Sequence, residues 1–378
     1  MPVGPLTLAE VEHEARARLP AEVWDFIQGG SGAERTLAAN LAQFAAHALR
    51  PRTLVDVSHC EPALTLLGCP LDLPVGIAPM AYHRLADPEG ETATARAAGR
   101  AGALLVAGIF ASRTLEEIAA AATGPLWLQL YWLRRRDALA ALVERAEAAG
   151  YRALVLTVDA PRVGRRLRDA RNGFAVPPEI RAVNLDPALM AASHRGGAGA
   201  SGIEAHAREQ FDPTLTWADL AWLRERSTLP LVLKGILTAE DARLAAEHGV
   251  DAVVVSNHGG RQLDGALPSL AALPAVVDAL PPEFPVLFDG GVRTGTDVAT
   301  ALALGARAVL VGRPVLWGLA RAGEEGVAHV LGLLRGELED AMALLGRPRL
   351  RDLDRSALAP WPGRPDCVRT DRTRTAIT

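Results

Sequence analysis

Eight short stretches of unbroken apolar sequence, each followed by a helical pattern, limit what this chain can become more than any other feature. They are LPVGIAPMAY from 73, ALLVAG from 103, PLWLQLY from 125, ALVLTVD from 153, LPLVLKG from 229, DAVVVSNHGG from 251, FPVLFDGG from 284 and AVLVGRP from 308. A strand with one wet face alternates apolar and polar residues, whereas a strand that is apolar throughout is buried on both faces, as in a parallel sheet. Between them, TLEEIAAAATG (114–124), DALAALVERAEAAG (137–150) and TAEDARLAAEHG (238–249) read as helices. Thr114 and Glu117 have capping-box spacing, and a glycine is expected to close each helix. Eight strand and helix repeats predict an α/β fold, a closed (β/α)8 or TIM barrel. An open doubly wound sheet is the second reading, but such sheets have fewer strands and a recognisable nucleotide-binding first turn.

The remainder is arranged around that repeat as a single domain, 1–378. Residues 1–70 form an N-terminal extension of helices, with Pro20 near a helix start, followed by LRPRTLVDVS, an extended piece expected to cap the barrel floor. The barrel occupies 71–348. Its fourth connection, 160–228, is far longer than usual, and about 185–212 is expected to be a flexible lid. A polar tail, 362–378, is expected to be disordered or to reach a neighbouring subunit.

Bulk properties exclude several classes of function. A net charge of −4 supplies no basic field for a phosphate backbone, so no nucleic-acid partner is expected. Cys60, Cys69 and Cys367 form no CxxC pair, which argues against a disulfide framework or a metal site and fits a reduced cytoplasm. The N-terminus lacks a signal-peptide core, and no run approaches 18 apolar residues, so no membrane association is expected.

Chemically able residues collect where the apolar runs end: Tyr82, Gln129, Tyr131, Thr157, Asp159, Lys234, Ser256, His258, Asp289 and Arg313. Active sites of barrels are built at that end. In SNHGGRQLD (256–264), His258 and Arg261 flank Gly259 and Gly260, which suit a tight turn or close approach to a flat ligand. The position points to a base beside an anion-binding group. Asp159 ends another strand and is placed to orient that ring. Arg165 or Arg166 can join Arg261 in a bidentate grip on a carboxylate. Gly290, Gly291 and Arg293 after the seventh strand, with Gly312 and Arg313 after the eighth, match the phosphate site that many barrels share. By contrast, Gly197, Gly199 and Gly202 spell GxGxxG with no strand entering and no apolar helix leaving, so they lack the dinucleotide context.

Lys234 is the one lysine in the chain; the other 39 of its 40 fixed cations are arginine. So strong a preference for arginine makes a lone lysine an exception that asks for a reason. The task at the end of the fifth strand therefore suits a compact ammonium better than a planar fork.

With SNHGGRQLD, LVLKG, LTVDAPRVGRR, WLQLY and DGGVRTGTDVATALALGA in this order, the chain resembles the FMN-dependent α-hydroxy acid oxidase and dehydrogenase family, from about residue 7 to 350. DFIQGGSG, LYWLR, GRRLRDARNGFA and PMAYHRLADPEGE are most similar to its hydroxymandelate-oxidising members. The resemblance implies an FMN enzyme that converts an (S)-2-hydroxy acid, mandelate or 4-hydroxymandelate, to a 2-oxo acid while O2 becomes H2O2. A quinone- or protein-linked dehydrogenase, an oxidase of glycolate or lactate, and a flavin-binding protein without catalysis are the other readings.

Carried onto this chain, the resemblance implies that His258 removes a proton, Asp159 pairs with it, Tyr131 contacts the reacting end, and Arg166 and Arg261 clamp the carboxylate. Phe26, Met80 and Phe110 would wall the substrate. Ala78, Pro79, Met80, Gly108, Gln129, Thr157, Lys234 and Ser256 would surround the flavin ring, with Lys234 against charge that appears near N1 and O2. Asp289, Gly290, Gly291, Arg293, Gly312 and Arg313 would hold the ribityl phosphate. Phe26 stands where the family has a tyrosine, and Gly108 where glycolate oxidase has a serine. Family members are often homotetramers or octamers.

Overall fold

The computed structural model describes residues 4–185, residue 194 and residues 202–361. Part of the expected lid, Gly197 and Gly199 of the GxGxxG string, Cys367 and the tail lie outside the described residues. All eight apolar runs form strands: β1 (Val75–Ile77), β2 (Leu105–Gly108), β3 (Leu126–Leu130), β4 (Leu154–Thr157), β5 (Leu231–Ile236), β6 (Ala252–Val255), β7 (Val286–Asp289) and β8 (Ala308–Val311). They pair in parallel in sequence order, and β8 closes on β1. The barrel predicted from the repeat is the fold.

Continuous hydrophobicity follows from burial on both sides. Val106, Trp127, Val155, Val232, Val254, Leu287 and Leu310 fill the barrel interior, while Ala107, Leu128, Leu156, Leu233, Val253, Phe288 and Val309 join the outer core formed with the helices. Trp127 is fully buried, and its truncation to alanine would cost about 3–5 kcal/mol. The floor is closed by an antiparallel hairpin, Leu64–Leu66 with Cys69–Leu71, whose Leu66 and Leu71 belong to the interior cluster. The expected floor cap, 49–58, is instead largely exposed, Leu54 and Val55 included.

The expected helices form at Leu115–Ala121, Arg136–Ala148 and Ala239–Glu247, the first with the Thr114–Glu117 capping box. Gly150 and Gly249 follow their helices with positive φ, but Gly124 does not. The first helix stops at Ala121, and Gly124 packs on Gly99, where a Cβ would lie 3.1 Å from the Gly99 Cα.

The N-terminal extension forms α1 (Leu8–Arg18), α2 (Ala21–Gln28, preceded by Pro20) and α3 (Arg35–Ala42). α1 packs along the helix Arg313–Leu344. α2 and α3 reach the opposite end from the hairpin, where the strands finish. Ser31 N donates to Gly260 O, and Thr36 N donates to Asp264, so this extension is sewn to the loop after β6. No helix among the described residues is long and apolar enough to cross a membrane.

Candidate active site

At the C-terminal ends of the strands lies a cavity, partly open to solvent. The lining includes Phe26, Ala78, Pro79, Met80, Phe110, Tyr131, Thr157, Arg166, Lys234, His258, Arg261, Asp289, Gly290, Gly291, Arg293, Gly312 and Arg313, all singled out from the sequence. Strand register accounts for part of this convergence: Thr157 stands beside Lys234 on neighbouring strands.

Four expected site residues stand just behind the lining. Asp159 accepts a hydrogen bond from His258 Nδ1 at 2.9 Å. Ser256, fully buried, accepts from both Lys234 Nζ (2.9 Å) and the His258 backbone N–H (3.0 Å), tying ammonium to imidazole. Gln129 donates to Thr157 Oγ1 at 3.0 Å. Gly108 is small for a packing reason, because a Cβ there would lie 3.2 Å from Met80 O and 3.4 Å from Gln129 Oε1.

His258 has φ of +60°, and Gly259 and Gly260 follow at +63° and +75°. Only glycine enters that region freely, so this turn depends on the two glycines and strains the histidine. The glycines serve chain packing: a Cβ on Gly259 would lie 2.9 Å from Arg313 Nη1, and one on Gly260 2.6 Å from Leu37 N. Gly235 does similar service in β5, where φ is +114° and the strand register shifts just after Lys234. Its missing side chain admits Asp159, whose Cβ would lie 2.5 Å from a Cβ on Gly235.

Electrostatics fix the protonation states. Burial above all lowers the His258 pKa below 6.5, helped by the Lys234 and Arg166 charges and opposed by Asp159. With Nδ1 donating to Asp159, Nε2 is the basic atom, and the Tyr131 hydroxyl oxygen lies 3.5 Å from it. Burial, then Asp159, pushes the Tyr131 pKa up to about 12, so the phenol keeps its proton. Burial pulls the Lys234 ammonium downward, but Asp289 and Asp159 outweigh it and the pKa is raised. Nζ sits 3.0 Å from Asp289 Oδ2.

The arginines differ. Arg261 Nη1 donates to the carbonyls of Phe26 and Gly29, both at 2.8 Å, and its pKa is lowered well below 12.5 by burial and by Arg166 and Arg313. Arg166, not the exposed Arg165, faces the cavity. Arg313 donates to the carbonyls of Ile27, Gly259 and Gly29, partners that sequence spacing did not suggest. Both arginines thus also fasten the C-terminal end of α2, where orphan carbonyls accept cations well.

Two ring-bearing residues of the lining were missed in the sequence. Phe211 stacks on Tyr131 at 4.4 Å, and His206 meets the edge of Phe110 at 5.3 Å; both line the cavity. They come from and just after the helix Gly202–Gln210, in the long fourth connection, where no motif marked them.

The residues present fit an FMN. Asp289 Oδ1 is buried without a hydrogen-bond partner, an acceptor suited to a ribityl hydroxyl. Arg293 and the N-terminus of the helix Arg313–Leu344 provide cationic and dipolar character for a phosphate. Gln129, Thr157 and Lys234 supply a polar edge for a heterocycle.

The family model described as FMN-dependent dehydrogenase matches residues 15–360. L-lactate oxidase of Nostoc sp. is 50% identical over 94% of this chain and 98% of its own length. The 4-hydroxymandelate oxidase of Amycolatopsis orientalis is 48% identical over 90% of this chain and 94% of its own. A crystal structure of mandelate oxidase with (S)-4-hydroxymandelic acid superposes with a TM-score of 0.91 at 47% identity, covering 94% of this chain and 98% of that one. Barrel, cavity and sequence agree, and this chain belongs to the FMN-dependent dehydrogenase family of 2-hydroxy acid oxidases.

Proposed function

We propose that this protein oxidises an (S)-2-hydroxy acid with an aromatic side chain, mandelate or 4-hydroxymandelate, to the 2-oxo acid, with O2 reduced to H2O2. The observation that carries the reading is the set of aromatic rings at the cavity: Tyr131 lies 5.5 Å from Phe110 and 4.4 Å from Phe211, and Phe26, beside the arginines, stacks on Phe174 at 4.6 Å. Aromatic faces offset in this way accept a further ring.

In this reading Arg166 and Arg261 hold the substrate carboxylate. His258 Nε2 accepts a proton from the substrate, and Asp159 stabilises the imidazolium that results. The Tyr131 hydroxyl, protonated throughout, donates toward the reacting oxygen. FMN supplies the two-electron acceptor. Lys234 would hold positive charge at the polar edge of its site, suited to an acceptor that is more negative when reduced. The substrate gives up two electrons and two protons, and O2 takes the same number to become H2O2. Because the His258 pKa is lowered, kcat/KM should fall only at pH values below the ordinary 6.5.

A second reading, an aliphatic substrate, is favoured by the identity to a lactate oxidase. The test is a panel in air with peroxide detection. Mandelate and 4-hydroxymandelate should exceed lactate and glycolate in kcat/KM by about tenfold or more, the worth of filling an apolar pocket. The reverse order sinks the aromatic assignment. Slow reoxidation of the reduced enzyme by air would instead favour another electron acceptor.

A further inference from the structure

The left-handed turn that presents His258 is held from outside the barrel. Asn257 Oδ1 accepts from the Gly260 N–H at 3.0 Å, closing the turn on itself. The same amide is paired with Asn40 on α3, 217 residues away in sequence. Asn40 Nδ2 donates to Asn257 Oδ1, and Asn257 Nδ2 donates to Asn40 Oδ1, both at 2.8 Å. Asn257 Nδ2 also donates to Leu267 O, and Asn40 Oδ1 also accepts from the Ser269 N–H. Both asparagines are buried.

Asn40 touches the other side of the cavity as well. A Cβ on Gly291 would lie 2.2 Å from Asn40 O, so the glycine loop after β7 is packed directly on this residue. One side chain of the N-terminal extension therefore fixes the base-bearing loop while its backbone backs the loop expected to face the cofactor. A strained residue such as His258 persists only where its surroundings determine its conformation in several ways at once.

We propose that Asn40 is a positioning residue for the base: its reciprocal amide pair with Asn257 sets the orientation of His258 toward the substrate. This rests on the reading of His258 as the base. Asparagine is required because each amide must both donate and accept; a carboxylate at position 40 would set one acceptor against another.

That requirement gives a test with its own signature. In Asn40→Asp the neutral acid retains an O–H donor toward Asn257 Oδ1, whereas the ionised form has none. Burial raises a carboxyl pKa above its ordinary value of about 3.9, so the donor is present at low pH and lost as pH rises through that raised value. The ratio of variant to unmodified kcat should therefore fall with rising pH. At pH 8 the loss should be about ten- to hundredfold, the cost of a misplaced catalytic group, with FMN bound stoichiometrically and KM little changed. Asn40→Ala should show a loss without that pH dependence.

Unmodified kcat and pH profile in both variants would overturn the proposal. So would weakened FMN binding with normal kcat at saturation, which would assign Asn40 to the glycine loop alone. Should neither variant fold, a crystal structure of the unmodified holoenzyme decides: the paired amides support the proposal, and separated amides refute it. His258→Ala keeps the two readings distinct, because undiminished turnover there would remove His258 as the base whatever Asn40 does.

Discussion

Lys234, at the end of β5, and Arg261, just past β6, each bring a buried cation to the same cavity, but they are balanced in opposite ways. Lys234 is within 3.0 Å of the Asp289 carboxylate and has a raised pKa. Arg261 donates to backbone carbonyls, is crowded by Arg166 and Arg313, and has a pKa lowered first by burial and then by those neighbours. Asp169 relieves some of that repulsion, but it is itself buried, with no hydrogen-bond partner for either carboxylate oxygen. A cation already paired gains little from a permanent anion; a cluster of like charges gains a great deal. On the proposed function, the arginine side would take a resident negative charge from the substrate, and the lysine side would respond to charge that arises during turnover.

The largest expected effect breaks the arginine side. Arg261→Leu removes a charge from a carboxylate site, and losing one partner of a buried pair costs about 2–5 kcal/mol. KM for a hydroxy acid should rise by roughly 10²–10³ on that scale, while an uncharged hydroxy amide should be affected far less. If acid and amide suffer equally, Arg261 acts through the α2 carbonyls it holds and not through its charge.

The contrast also shows what the sequence could carry. The strands were legible because burial on both faces leaves an unbroken apolar signature, and Lys234 was legible because every other fixed cation in the chain is arginine. Most of the ring of chemistry followed from strand ends. What could not be read were contacts made across long separations without a motif: Arg313 on the carbonyls of Ile27 and Gly29, Asn40 on Asn257, and His206 and Phe211 from the fourth connection. These depend on how α2 and α3 lie over the strand ends, and a helix pattern does not encode where its helix docks. The glycine-rich turn shows the same limit. Gly259 and Gly260 suggested a tight turn or close approach to a flat ligand; the turn is there and Gly259 lines the cavity, but their packing against Arg313 and Leu37 had no mark in the sequence.

A smaller loss is expected on the lysine side. Lys234→Met should slow flavin reduction by about 10²-fold, in the range for removing one donor from developing charge. It should also weaken the sulfite adduct, which places similar charge on the cofactor. Stability would fall because Asp289 is left buried without its cation, a change of about 3–5 kcal/mol. Adding Asp289→Asn separates the two effects: thermal stability should recover while reduction stays slow. Recovery of both would mean that Lys234 serves only to neutralise Asp289, and the contrast with Arg261 would disappear.

The smallest effect lies where the two arginines meet the aromatic wall. The guanidinium carbons of Arg261 and Arg166 lie 5.3 and 5.9 Å from the Phe26 ring centroid, and the ring is stacked on Phe174. Phe26→Tyr adds one hydroxyl beside the carboxylate site without altering the ring stack. One hydrogen bond contributes about 0.5–1.5 kcal/mol, so KM for a small acid such as lactate should fall by up to about tenfold. Mandelate has a ring to place against the same wall and should gain less, narrowing the preference between the two substrates. A shift confined to small acids would mark Phe26 as a surface that both the carboxylate and the side chain feel. An identical change for every substrate would locate the hydroxyl on the arginines alone, and no change at all would take Phe26 out of the substrate's reach.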